Sequence, residues 1–62
     1  MRVRDVIRMI EKDGWYLVGT RGSHRQDRHA VKNGKVTISG HLGAESKKGT
    51  VASVRRQAEL KR

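Results

Sequence analysis

The chain has 62 residues, among them 15 Lys or Arg, six Asp or Glu and no cysteine, for a formal charge of +9. A length of 62 predicts a single domain over 1–62 with a thin core, since a domain near this size buries only about 60% of the surface its unfolded chain exposes. The missing cysteines exclude a disulfide framework and thiolate metal ligands, and no segment approaches the roughly 18 apolar residues of a membrane span.

The first predicted element is a helix. Val3, Val6, Ile7 and Ile10 recur at i, i+3, i+4 and i+7 and form one apolar stripe, with Arg4, Arg8, Glu11 and Lys12 around it. Asp13-Gly14 supplies the stop, Gly14 being free to adopt the left-handed conformation that follows a helix. The start is poorly marked, because Val3 stands where Ser or Thr would cap. Asp5 and Glu11 also interrupt the apolar stretch that a secretory signal would need, so the expected location is the cytoplasm.

Trp15 to Thr20 is rich in aromatic and β-branched residues and reads as a strand, with one of Trp15 and Tyr16 inside by alternation. Arg21-Gly22-Ser23 is a turn, His24 to Val31 a second strand and Lys35 to Ser39 a third. Asn33-Gly34 is the strongest hairpin signal, because a type I′ turn needs positive φ at both central residues. A two-residue loop there pairs Lys32 with Lys35, Val31 with Val36, Ala30 with Thr37 and His29 with Ile38. Asp27, His29 and Val31 then share the buried face, while His24, Gln26, Arg28 and Ala30 share a polar one.

After a loose stretch from Gly40 to Lys48, Gly49-Thr50 opens a second helix, with Thr50 as the expected N-cap and Val51, Val54 and Ala58 as its apolar stripe. Arg55, Arg56, Lys61 and Arg62 gather near its C-terminus, where the helix dipole favours positive charge. The predicted fold class is α+β: helix, three antiparallel strands, helix, with both helices on one face of the sheet.

A charge of +9 in so short a chain attracts polyanions. Nucleic acid, an anionic membrane and an acidic protein all fit, and the even spread of positive residues favours a folded basic surface that binds nucleic acid. Among the three histidines, His24 follows a Gly-Ser turn and stands between Arg21 and Arg25. A histidine beside a bound phosphodiester can move a proton while cations stabilise charge on the phosphoryl oxygens, and such a route needs no metal.

His29 is expected as a hydrogen-bonded core residue. His41 is either a loop residue or a second proton carrier near the same sheet edge. No Cys, Asp, Glu or His spacing suggests a metal site. Gly22 and Ser23 form either an anion-binding nest or a plain hairpin turn. Lys47 and Lys48, before the second helix, either meet phosphate with help from the helix dipole or sit in solvent. The two aromatics are too few for a base-stacking platform, so contact by shape with phosphate and sugar is expected.

The run DVIRMIEKDGWYLVGTRGSHRQDRHAVKNGKVTISGH followed by KKGTVASVRRQAEL closely resembles the HicA toxins of bacterial and archaeal HicAB toxin–antitoxin systems. The resemblance spans nearly the whole chain. Its most specific parts are Gly14-Trp15, Gly22-Ser23-His24 with Arg25-Gln26 and His29, and Lys48-Gly49-Thr50. It implies a fold like the double-stranded RNA-binding domain and an mRNA-cleaving toxin whose essential histidine maps onto His24, with no cofactor or metal. Arg21, Gly22, Ser23, Arg25, Gln26, Arg28, Lys47 and Lys48 are the expected RNA contacts. The implied partner is a HicB antitoxin that covers the active site, with DNA reached only through that complex.

Two positions depart from the family. An aromatic usually stands where this chain has Asp27, and Pro where it has Ala30. An unpaired carboxylate at a buried position costs several kcal/mol, so Asp27 is expected to pair with His29 or a nearby Arg, or the strand edge is open. Two rival functions remain at this level. One is a binding-only module of the same fold. The other is a small DNA-binding protein, although a three-strand stretch separates the helices and leaves no helix-turn-helix.

Overall fold

In the structure, a computed structural model that describes residues 1–60, α1 spans Val3–Lys12, β1 Trp15–Arg21, β2 His24–His29, β3 Val36–Ser39 and α2 Lys48–Gln57. The strands form one antiparallel sheet in the order β1-β2-β3. Val3, Val6, Ile7 and Ile10 of α1 and Val54 and Ala58 at the end of α2 pack against Trp15, Val36 and Ile38, which puts both helices on one face. Each large side chain in this core contributes roughly 1.5–3 kcal/mol by leaving water. The opposite face of the sheet is open.

Helix ends are closed by means other than Ser or Thr. Arg2 is the N-cap of α1, and its backbone N–H donates to the Asp5 carboxylate at 3.0 Å. The next N–H groups, of Val3 and Arg4, donate to the carbonyls of Ala44 and Leu42 at 2.9 and 3.0 Å. Donors that an isolated helix leaves unpaired thus bind the Gly40–Lys47 connection. In α2 the cap is Lys47 and not Thr50, which lies inside the first turn, and no side chain caps it. The far end of α2 has Glu59 at φ 53°. There the Glu59 and Leu60 N–H groups reach back to Arg56 and Arg55 carbonyls, a Schellman closure in which Gly is the usual residue. Arg55 and Arg56 lie in the last turn as expected; Lys61 and Arg62 lie outside the described residues.

The predicted Asn33-Gly34 hairpin is corrected. The two-residue turn is Gly22-Ser23, which joins Arg21 to His24. Gly22 has φ +57° while Ser23 stays negative, the sign pattern of a type II′ turn. Consequently β1 includes Arg21, which the sequence placed in the turn. β2 ends at His29 instead of Val31, and Val36 pairs with Asp27, four residues from the predicted partner. Val31, expected inside, is 83% exposed.

Side chains behind the sheet explain why the ladder stops. His29 Nδ1 accepts the N–H groups of Val31 and Lys32 at 3.0 and 3.1 Å, and its Nε2 lies 2.6 Å from the Asp13 carbonyl, so the assigned tautomer carries the proton on Nε2. The imidazole stands edge-on to Trp15, with 5.3 Å between ring centroids. It also occupies the space beside Gly14, where a Cβ would come within 2.7 Å of Nε2.

Lys32 completes the anchor. Its ammonium donates to Asp13 Oδ2 at 2.5 Å and to the carbonyls of Ala58 and Glu59 at 3.1 and 3.0 Å. One side chain thus ties the β2–β3 connection to both helix ends. The hydrogen bond to Lys32 holds the Asp13 carboxyl below its ordinary 3.8, and partial desolvation only opposes this. A carboxyl whose native value is depressed stabilises the fold fully above its unfolded value and loses that contribution as pH falls through the native one. We therefore expect Lys32→Met to lower the melting temperature at pH 7, and the gap from wild type to narrow below about pH 3.8. Thermal melts at pH 7 and pH 2.5 measure it; a pH-independent gap would remove Asp13 from this account.

A candidate active-site cleft at the end of the sheet

The tight Gly22-Ser23 turn, the end of β3, the first turns of α1 and the Gly40–Leu42 segment enclose a cleft of about 370 Å³. Its wall includes His24, His41, Ser23, Arg25, Ile7 and Ile38. Gly40 donates its N–H to the Ser23 carbonyl at 3.1 Å, which binds the turn to the segment that carries His41. The α1 N-terminus grips the same segment through Leu42 and Ala44, and Arg2 Nη1 adds a bond to the Gly43 carbonyl at 2.9 Å. His24 and His41, far apart in the chain, thus both border this cleft.

His24 is exposed and lies opposite Arg21 on β1 and Ser39 on β3. Directly opposed residues share a face, so Arg21, His24 and Ser39 stand together on the open side. Gln26 follows with Gly19 and Thr37, and Arg28 with Tyr16. The even shift of four residues in the β2–β3 register preserved this sidedness, because side chains alternate with period two. Gly22 has open space where a Cβ would stand, and Ser23 points its carbonyl at Gly40, so the turn serves as a hairpin whose one engaged group is inward.

Arg25 differs from the other expected contacts. It lies on the helix side of β2, where Nε and Nη2 donate to the two oxygens of Asp27 at 2.7 and 3.1 Å, and Nη2 also reaches Glu11 at 3.2 Å. Asp27 is 0% exposed. The hydrogen bond that Arg25 donates to Asp27, reinforced by the nearby negative charges, raises the affinity of Arg25 for its proton above an ordinary arginine's. Arg25 is thus a pinned wall of the cleft, its charge already met by two carboxylates. Pairing of Asp27 with a nearby Arg was one of the expected solutions, and opposite charges two apart on one strand were its signal. Glu11 as third member was not legible, because it required α1 to be placed over β2.

Lys47 and Lys48 are exposed at the start of α2. Lys48 lines a separate cleft with Met1, Glu45, Val51 and Arg55, which shares no lining residue with the first. The structure does not bring these lysines into the His24 cleft. Among the described residues no three His, Cys, Asp or Glu side chains gather as a metal site, and no helix is long and apolar enough to cross a membrane.

No curated protein matches this sequence. A family model described as the HicA toxin of bacterial toxin–antitoxin systems matches residues 3–60, which include both helices, the whole sheet and the cleft between them. On that match, the chain belongs to the HicA toxin family.

Proposed function

We propose that this toxin is an endoribonuclease that cleaves mRNA with His24 as a general acid–base group. The observation that carries the reading is that His24 and His41 border one cleft, with the exposed cation Arg21 directly across the strand from His24. In the reaction, the ribose 2′-oxygen attacks the adjacent phosphorus while one imidazole accepts its proton. The bond from phosphorus to the 5′-oxygen breaks, and the other histidine protonates the leaving oxygen. The products are a 2′,3′-cyclic phosphate and a free 5′-hydroxyl. Arg21 stabilises charge on the phosphoryl oxygens, a role for which Arg25 is less suited because Asp27 and Glu11 already hold it. His41 takes the second proton position in preference to Ser23.

A HicB-type antitoxin neutralises the toxin by covering this cleft, and the complex meets DNA through the antitoxin. The substrate places the toxin in the cytoplasm. Purified protein incubated with mRNA in EDTA is expected to yield fragments with cyclic phosphate ends. His41→Ala is expected to slow cleavage by about 10²-fold or more and remove one limb of a bell-shaped rate–pH profile. Binding without fragments would leave a non-catalytic RNA-binding module.

A further inference from the structure

From His24 and Arg21, which the cleavage chemistry uses, the open sheet face continues as a row of side chains that it does not use. Tyr16 is 48% exposed and lies directly across from Arg28. The next rung is Gly19, Gln26 and Thr37, and the last is Arg21, His24 and Ser39. Gly19 has nothing within 4 Å of where a Cβ would stand, so on β1 the middle of the row is open backbone between Tyr16 and Arg21. Its neighbour in the chain, Val18, is the bulged residue where the register slips between Leu17 and Gly19. That bulge lets both Tyr16 and Arg21 face outward, which strict alternation across an odd separation forbids.

The carboxylates lie elsewhere. Asp5, Glu11, Asp13, Asp27 and Glu45 each accept a hydrogen bond away from this face, and Glu59 sits past the end of α2. Among the described residues the open face therefore presents Arg21, Arg28 and His24 with no opposing acid. One exposed ring lies at the far end of a basic, acid-free row that leads to His24. A polyanion with flat apolar faces fits it.

We propose that the open face is a track for single-stranded RNA, with one unpaired base stacked on Tyr16, the backbone on Arg28 and Arg21, and the scissile phosphodiester at His24. The track rests on the endoribonuclease reading for its ligand. Four residues of β2 separate Arg28 from His24, about 13 Å at strand rise. That distance is about two to four nucleotides, between extended and stacked backbone. A single ring is too little for a multi-base platform, but it suffices to hold one base at a fixed distance from the cut. A duplex keeps its bases stacked on each other and leaves the ring without a partner.

The test uses RNA that cannot be cleaved. A fully 2′-O-methylated single strand of ten nucleotides is titrated by fluorescence anisotropy against wild type, Tyr16→Ala, Tyr16→Phe and Arg28→Ala. Tyr16→Ala is expected to weaken binding about 5- to 100-fold while Tyr16→Phe stays near wild type. Arg28→Ala is expected to reduce the salt slope of log K by about 0.7. A hairpin duplex of the same composition is expected to bind more weakly and without dependence on Tyr16. Equal binding by Tyr16→Ala with its circular dichroism spectrum unchanged, or a duplex bound as well as the strand, would overturn the track. Tyr16-dependent binding by a protein that leaves unmodified RNA intact would overturn the cleavage reading and sustain the track.

Discussion

Purified His24→Ala protein is expected to cleave mRNA at least 10²-fold more slowly than wild type while folding normally, at the lower end of what a positioned proton-transfer group contributes. The side chain is exposed, and its strand neighbours Arg21 and Ser39 are held by backbone pairing that alanine retains. Surface substitutions of this kind usually change stability by less than about 0.5 kcal/mol. In cells, expression of wild type is expected to arrest growth and expression of His24→Ala to permit it at equal protein level. The cleavage rate, read beside the circular dichroism spectrum and melting temperature, checks the assignment. Equal cleavage by the two proteins would remove His24 from the chemistry and leave the fold reading intact.

The second large effect lies beneath the sheet. Arg25→Met strands the fully buried Asp27 carboxylate, and breaking a buried pair this way costs about 3–5 kcal/mol. The whole stability of a chain of 62 residues is on the order of 3–9 kcal/mol. Arg25→Met is therefore expected to be largely unfolded near 37 °C. Asp27→Leu is expected to cost less, because Arg25 is only partly buried and keeps Glu11 at 3.2 Å. The double variant Arg25→Met/Asp27→Leu is expected to recover most of the loss, since an apolar pair of similar volume can replace a buried ion pair. Urea denaturation of the four proteins closes the cycle. Additive losses in the double variant would show that the pair is not the unit that stabilises β2 against α1.

The helices and the order of the strands were legible from local periodicity and turn signals, whereas the face of each β2 residue was read from the Asn33-Gly34 register. The hairpin was misplaced for a physical reason. Asn33-Gly34 has the better intrinsic turn chemistry, but His29 captures the Val31 and Lys32 N–H groups that a longer ladder would need. Lys32 then draws the chain toward Asp13 and the end of α2. Those contacts join residues 19, 26 and 27 positions apart, and no propensity within a short window contains them. The same limit left His41 with two readings, a loop residue or a second proton carrier near the sheet edge that holds His24. The sharing of one cleft by the two histidines depends on Gly40 bonding back to Ser23 and on α1 holding Leu42 and Ala44. Sidedness survived the wrong register only because the slip was an even number of residues. An odd slip would have turned His24 toward the helices.

The grip of α1 on Leu42 and Ala44 also sets an order of events during synthesis. Trp15–His29 can close into its tight hairpin as soon as those residues emerge, and α1 precedes it. The cleft lacks a wall until Gly40–Ala44 has been made and bound to the helix start. α2, which covers Trp15 through the Ala58 carbonyl at 3.3 Å, arrives last. The cleft is thus a composite of distant segments, complete only once residues on either side of the whole sheet have met.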